Sequence, residues 1–287
     1  MDNAIDLHLH SIYSDGSDTP EQIVSLAKKL NLKALSLTDH DSVEGIASMQ
    51  DNCDLAGIEF VPGIELSTDY EGHEIHILGY CFDYKDPHFN EILEKNVKAR
   101  DVRTERILAA LRDKGLDITL EALYKLNPCA VITRAHIASY LYETGQLKSR
   151  KDAFDKYIGD GKCCHFKREK INSVDAIKLI HDVNGIAVIA HPPLYKLDCK
   201  ELNRIISIFK ENGLDGLEGV YSTYHNEDMN TMRNLADKYD LLMTGGSDYH
   251  GSNKPFIHLG SGRGNLHVPY DLFCKLKNYS NEKKEKA

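Results

Sequence analysis

Short apolar runs alternate with helical patterns along most of the chain. Residues 4–9, 33–37, 59–66, 74–80, 186–190, 214–220 and 241–245 each read as a strand, most of them followed by turn or helix residues. Repetition of strand, loop and helix predicts an α/β fold with a largely parallel sheet, and seven strands is a barrel-like count. The helix from about Pro20 is well marked: Thr19 is an N-cap, Pro20 sits in the first turn and Gln22 follows the cap by three residues. From residue 87 to about 157 the strand pattern disappears. Amphipathic helical spacing replaces it, with Ile107, Leu108 and Leu111 on one face. This predicts a helical element, residues 87–171, inserted into a scaffold made of 1–86 and 172–287. The final NEKKEKA reads as a solvated tail.

Composition narrows the class. The 287 residues include 41% hydrophobic ones, enough to fill a core, so disorder is excluded. No stretch approaches the roughly 18 apolar residues of a membrane span, and MDNAIDLHLH lacks the pattern of a signal peptide; a soluble, cytoplasmic protein without a membrane partner is expected. Seven scattered cysteines, with only Cys163 and Cys164 adjacent, form neither a disulfide framework nor a CxxC zinc pattern. Net charge is −9, a poor match to long duplex DNA. That charge is unevenly spread. Residues 95–171 hold 17 Lys plus Arg against 10 Asp plus Glu, so a basic insertion rides on an acidic body. Such a split suits a scaffold that gathers cations and an insertion that faces anions.

Candidate chemistry falls at the strand ends. His8 and His10 alternate on the first strand, so both project to one side. Asp15, His40, Glu65, His76, His191, Asp248 and His250 follow at or near the ends of successive strands, where barrel enzymes build their sites. Six imidazoles and three carboxylates exceed what one ion takes, which implies two or three divalent metals sharing a bridging carboxylate. Sites of that kind activate water as hydroxide and clamp a phosphoryl group, so hydrolysis of a phosphate ester is the natural fit. Asp39, beside His40, is expected to orient a ligand rather than to be one.

The segments DLHLHSIYSDG, LTDHD, PGIE, HILGY, AHP and GSDYHG resemble the successive motifs of the PHP (polymerase and histidinol phosphatase) superfamily of metal-dependent phosphoesterases. TRAHIA at 133–138 and the later AFDKYIGDG are similar to the branch acting on nucleoside 3′,5′-bisphosphates, 5′-mononucleotides and 5′ ends of short RNA. The resemblance implies a distorted (β/α)7 barrel with the helical insertion over its C-terminal face. It implies that His8, His10, Glu65 and Asp248 hold one metal, that Glu65 bridges to a second on His76 and His191, and that Asp15, His40 and His250 hold a third. Many relatives carry histidine where Asp15 stands; an oxygen ligand there shifts preference from zinc toward manganese or iron. By the same resemblance Arg134 and His136 contact substrate phosphate, and His225 contacts phosphate or donates the leaving-group proton, which with Glu65 makes it a catalytic candidate. Lys167 and Arg168, closing the insertion, are further phosphate candidates. The competing readings are a histidinol-phosphate-type phosphatase, an amidohydrolase and a non-catalytic metal-stabilised scaffold. A long basic insertion disfavours the first, the absence of a lysine at the matching strand ends the second, and a complete ligand set the third.

Overall fold

The computed structural model describes residues 4–167 and 170–286. Their architecture is mixed α/β. Continuous ladders form a two-stranded parallel sheet, β1 (Ala34–Leu35) with β2 (Glu59–Phe60), and a five-stranded sheet in the order β3 (Gly63–Tyr70), β4 (His73–Tyr80), β5 (Ile186–Ile189), β6 (Gly216–Tyr221), β7 (Leu242–Gly246). Among the described residues these ladders close no barrel.

Three sequence expectations are corrected by local physics. The first run, 4–9, is not a ladder strand, because successive amides go to different neighbours: Ile5 N to Val268 O, Asp6 N to Ala34 O and Leu7 N to Gly245 O. The run 59–66 breaks into β2 and β3 around Val61 and Pro62, the latter having no N–H to give. The large sheet is only partly parallel. β3 and β4 are joined by Glu71 and Gly72, with φ of 52° and 85°, and a two-residue turn of this kind forces antiparallel pairing. β4 also runs against β5, whereas β5, β6 and β7 are mutually parallel.

Helices cover the sheet as their apolar faces dictate. α1 (Pro20–Lys29) begins with the expected capping box, Thr19 with Gln22, and buries Ile23, Val24 and Ala27. α2 (Ile46–Ala56) packs beside it. α3 (Pro87–Arg112), α4 (Leu120–Leu126), α5 (Arg134–Glu143) and α6 (Arg150–Ala153), the last continuing as a π-helical turn to Ile158, occupy the strand-free region. They enclose an apolar cluster of their own around Ile107, Leu111, Leu123, Ile137 and Leu141. α7 (Ser173–Asp182), α8 (Cys199–Glu211) and α9 (Asn226–Tyr239) alternate with β5 to β7, and α10 (Tyr270–Lys286) closes the chain. No helix among the described residues is long and apolar enough to cross a membrane.

Candidate metal centre

The backbone delivers the site residues by close approach. A Cβ on Gly246 would meet His8 N at 2.3 Å, so only glycine lets β7 lie against the segment bearing His8 and His10. His191 follows β5 with φ 31°, and Asp248 follows β7 with φ 57°. Left-handed backbone at two non-glycine residues is costly and is held here by the surrounding packing.

All nine sequence-selected donors meet. Their ligand atoms fall into four overlapping groups, each within 4.8 Å: His10, Asp15, His40 and His250; His8, Glu65 and His191; His8, His10 and Asp248; His40, Glu65 and His76. Glu65 is the hub. Its Oε2 lies 3.2 Å from His8 Nε2, His10 Nε2 and His40 Nδ1, while Oε1 lies 2.7 Å from His76 Nδ1 and 3.0 Å from His191 Nε2. Asp248 Oδ1 faces His10 Nε2 at 3.2 Å and His250 Nδ1 at 3.4 Å. Asp15 Oδ1 faces His250 Nε2 at 3.1 Å.

The electrostatics suit cations. Despite burial, neighbouring imidazoles hold Glu65 and Asp15 well below the usual carboxylate range, and Lys254 with His250 does the same for Asp248. Against burial, the adjacent Asp248 and Glu65 carboxylates pull His10 up to about 9, and Glu65 pulls His76 to about 9. Burial pushes His40 down to about 3 and lowers His250, leaving neutral rings with free lone pairs. Buried His10 Nε2, His40 Nδ1 and Asp15 Oδ1 have no partner in hydrogen-bond geometry, although acceptors and donors crowd them. The carboxylates are ionised and His40 and His250 neutral, as metal ligation requires, while His8, His10 and His76 hold a proton that an incoming ion would displace; donors gathered in this way fit divalent ions of the zinc, manganese and iron class.

Several supporting residues escaped the sequence reading. Glu218, from β6, accepts from His8 Nδ1 (2.9 Å) with one oxygen and from His191 N (2.8 Å) with the other. An acid inside the otherwise uncharged strand segment GLEGV was the cue. Asp248 Oδ2, turned away from the imidazoles, accepts from Tyr221 OH (2.6 Å) and Lys254 Nζ (2.7 Å). Asp39, which the sequence did mark as orienting a ligand, accepts from Ser11 Oγ (2.6 Å) and Ser14 Oγ (2.5 Å), and Ser14 Oγ lies 3.3 Å from His10 Nδ1, so it steadies the turn after His10. Asp41 pairs with Arg100 of the insertion.

The proposed substrate contacts are more scattered. A cavity of ≈ 180 Å³ opens on Asp15, His40 and His76 and is walled from the insertion side by Arg100, Arg103 and Arg134. Arg134 is not an idle cation there: it pairs with Asp160 (2.8 Å) and approaches Glu74 (3.5 Å). His136 is buried at the start of α5, its Nδ1 accepting from Thr133 N (3.0 Å). Lys167 is exposed on a neighbouring cavity of ≈ 330 Å³. Arg168 lies outside the described residues. His225 is exposed at the N-cap of α9, where its amide donates to Asp228 (2.8 Å), and it is not among the side chains that meet at the centre.

A mixed α/β scaffold presenting nine metal-type donors, seven of them buried, beneath a guanidinium-walled cavity defines a metal-dependent phosphoesterase. The PHP domain family matches residues 6–218, and the chain belongs to that family. The 5′-3′ exoribonuclease Rnm of Escherichia coli (strain K12) is 34% identical over 257 residues, covering 89% of this chain and 87% of its own. A 3′,5′-nucleoside bisphosphate phosphatase of Chromobacterium violaceum is 32% identical over 248 residues, covering 86% and 87%. A solved structure from Bifidobacterium adolescentis, described as a metal-dependent phosphoesterase, aligns with TM-score 0.85 over 96% of each chain at 27% identity.

Proposed function

We propose that this enzyme removes phosphate from nucleotide-type substrates: a nucleoside 3′,5′-bisphosphate, a 5′-mononucleotide or the 5′ end of a short RNA. One observation carries the reading: three guanidinium side chains wall the cavity that opens on Asp15, His40 and His76, so a phosphate lying on the donors also faces cations. The names of the exoribonuclease and bisphosphate phosphatase relatives point to the same substrates.

In this reading His8, His10, Glu65 and Asp248 would hold one ion, Glu65 with His76 and His191 a second, and Asp15, His40 and His250 a third; manganese, iron and zinc all suit the donor set. Bound ions supply a lowered pKa for water and neutralise charge on a phosphoryl oxygen. The chain's own residues do the rest. Glu218 fixes the tautomer and orientation of His8, and Asp39 acts on His10 through Ser14. Arg134 offers a planar fork to phosphate oxygens, with His136, Lys167 and Arg168 as further contacts. The exposed imidazole of His225 serves as proton donor to the leaving oxygen.

The scaffold reads as a distorted (β/α)7 barrel in which residues 4–10 act as a stave, supported by their hydrogen bonds to 34–38 on one side and 245–249 on the other. Residues 87–171 read as a lid domain over 1–86 and 172–287, supported by their separate apolar cluster. A cytoplasmic enzyme acting on small phosphorylated substrates, without long duplex DNA or membrane as partner, completes the proposal. Phosphate release by manganese-loaded protein from adenosine 3′,5′-bisphosphate, AMP, a short 5′-phosphorylated RNA, histidinol phosphate and p-nitrophenyl phosphate tests it. Higher kcat/KM on the nucleotides is expected; a preference for histidinol phosphate overturns the substrate assignment.

A further inference from the structure

Cys163 and Cys164, the one adjacent pair among seven cysteines, have no part in the chemistry of the metal centre. They occupy the two central positions of a β-turn closed by His165 N donating to Lys162 O at 3.0 Å, a few residues after the π-helical turn that ends at Ile158. Their sulfurs lie 3.7 Å apart. Cys163 is exposed, whereas Cys164 is buried in the apolar cluster of the insertion. Burial and the neighbouring Cys163 sulfur push the Cys164 thiol up to about 11, so an oxidant from solvent meets Cys163 first, with a protonated thiol behind it. Consecutive Cα atoms across a trans peptide stand about 3.8 Å apart, short of the roughly 4.4 Å at which disulfides ordinarily begin, so a bond between the two requires the peptide joining them to rotate. The central peptide of a β-turn is free to do so, since turn types I and II differ by its rotation. A bond formed under such strain is also readily reduced.

We infer that Cys163 and Cys164 form a reversible redox site for hydroperoxides, closing to a vicinal disulfide that disturbs the hold on Arg134. The Cys163 thiolate attacks one oxygen of hydrogen peroxide, the O–O bond breaks, and Cys163 becomes a sulfenic acid while the released hydroxide takes up the proton that the thiol gave to solvent. The Cys164 sulfur then attacks the Cys163 sulfur, the S–O bond breaks, and the departing hydroxide leaves as water with the Cys164 proton. Two thiols are oxidised by two electrons, and one peroxide is reduced to two waters. The peptide that must rotate carries the Cys164 amide, which donates to Tyr157 O at 2.9 Å, and Cys163 Sγ donates to Lys156 O at 3.8 Å, so closure works on the π-helical turn. That turn and the residues after it carry Ile158 O and Asp160, which accept from Arg134 NH1 at 3.4 and 2.8 Å, and Phe154, which lines the cavity over the donors. His165, next after the pair, lies 3.4 Å from the same Asp160 oxygen. The redox state thus reaches Arg134 through groups it already contacts. The thiol chemistry is independent of the nucleotide reading, and its effect on turnover rests on Arg134 as a phosphate contact.

Hydrogen peroxide treatment of the manganese-loaded protein tests this, followed by alkylation of free thiols and peptide mass spectrometry. The peptide bearing both cysteines should be lighter by two hydrogens, unalkylated and restored by a phosphine reductant, at a peroxide dose that leaves the exposed and solitary Cys129 and Cys199 reduced. Cys164→Ser removes the second thiol, so Cys163 should stop at a sulfenic acid that dimedone captures and pass on to irreversible sulfinic acid. Cys163→Ser, a change at the exposed position, should leave Cys164 reduced. Oxidised wild type reloaded with manganese should hydrolyse p-nitrophenyl phosphate with kcat/KM about tenfold lower, the scale of a positioning group displaced by a fraction of an ångström, and recover with the reductant. Cys163→Ser should keep its activity through the same treatment. Failure of the untreated protein to release phosphate from nucleotides refutes the substrate assignment above and leaves each of these readouts in place. Oxidation of Cys163 no faster than of Cys129 and Cys199, or sulfinic acid without disulfide in the wild type, overturns the redox site. A disulfide that forms with kcat/KM unchanged overturns its link to Arg134.

Discussion

At the scale of single residues the centre depends as much on what holds the histidines as on the histidines themselves. Glu218 is fully buried and divides its two oxygens between the His8 ring and the His191 amide, so it fixes two donors that approach from different strands. Glu218→Gln replaces one acceptor by an NH2 group, which cannot accept from both. Outer carboxylates of this kind are worth roughly 10- to 100-fold in metal affinity. Manganese titration followed by calorimetry should show a loss in that range with the wild-type stoichiometry retained, and affinity within twofold of wild type would remove Glu218 from the site. The donors themselves were legible because alternation on a strand and clustering at strand ends are visible in order of sequence. Glu218, Lys254 and Tyr221 were not, since their importance arises only where β6 and the loop after β7 come together around His8 and Asp248.

Secondary-structure elements were legible where a local rule decides them. α1 was fixed by Thr19, Pro20 and Gln22, all within its first turn. Residues 4–9 form no ladder because their partners lie at 34, 245 and 268, a fact no window of sequence contains. One carboxylate shows how elements are tied at the end of the fold away from the imidazole cluster. Asp215, just before β6, accepts from His181 Nε2 of α7 (2.8 Å), Ala187 N of β5 (2.8 Å) and Tyr279 OH of α10 (2.8 Å). Burial alone would raise its pKa, but the His181 and Ala187 hydrogen bonds and Lys283 outweigh burial and lower it below 3.8. A depressed folded-state pKa means that its stabilisation is fully present above the unfolded value near 4 and is lost as pH falls through the folded value. Asp215→Asn should therefore lower Tm at pH 7 and flatten the decline of Tm below about pH 4 relative to wild type. Parallel acid limbs in the two proteins would show that Asp215 carries no such linkage.

For the whole molecule, the same nine donors that define the chemistry also set a stability problem. Glu65, Asp15 and Asp248 are buried and ionised, and only imidazoles and Lys254 compensate them. His40 and His250 are at the same time held neutral, so the centre keeps both unsatisfied acceptors and buried charge within a few ångströms. Divalent ions relieve both, and they do so only in the folded chain, because the donors come from segments as distant as His8 and His250. Ligands that bind the native state alone stabilise it by about 2.7 kcal/mol at a hundredfold excess over Kd for each independent site. For a chain of this size that corresponds to roughly 5 to 10 °C in Tm per ion. Chelation followed by thermal unfolding should thus lower Tm by at least about 5 °C, with the far-ultraviolet circular dichroism at 20 °C unchanged, since the apolar clusters of the body and of residues 107–164 do not include the donors. Stepwise return of manganese should restore Tm in as many increments as there are occupied sites. A Tm indifferent to chelator and metal would mean that the ions bind too weakly to act on the fold, and the multinuclear reading of the centre would fall with it.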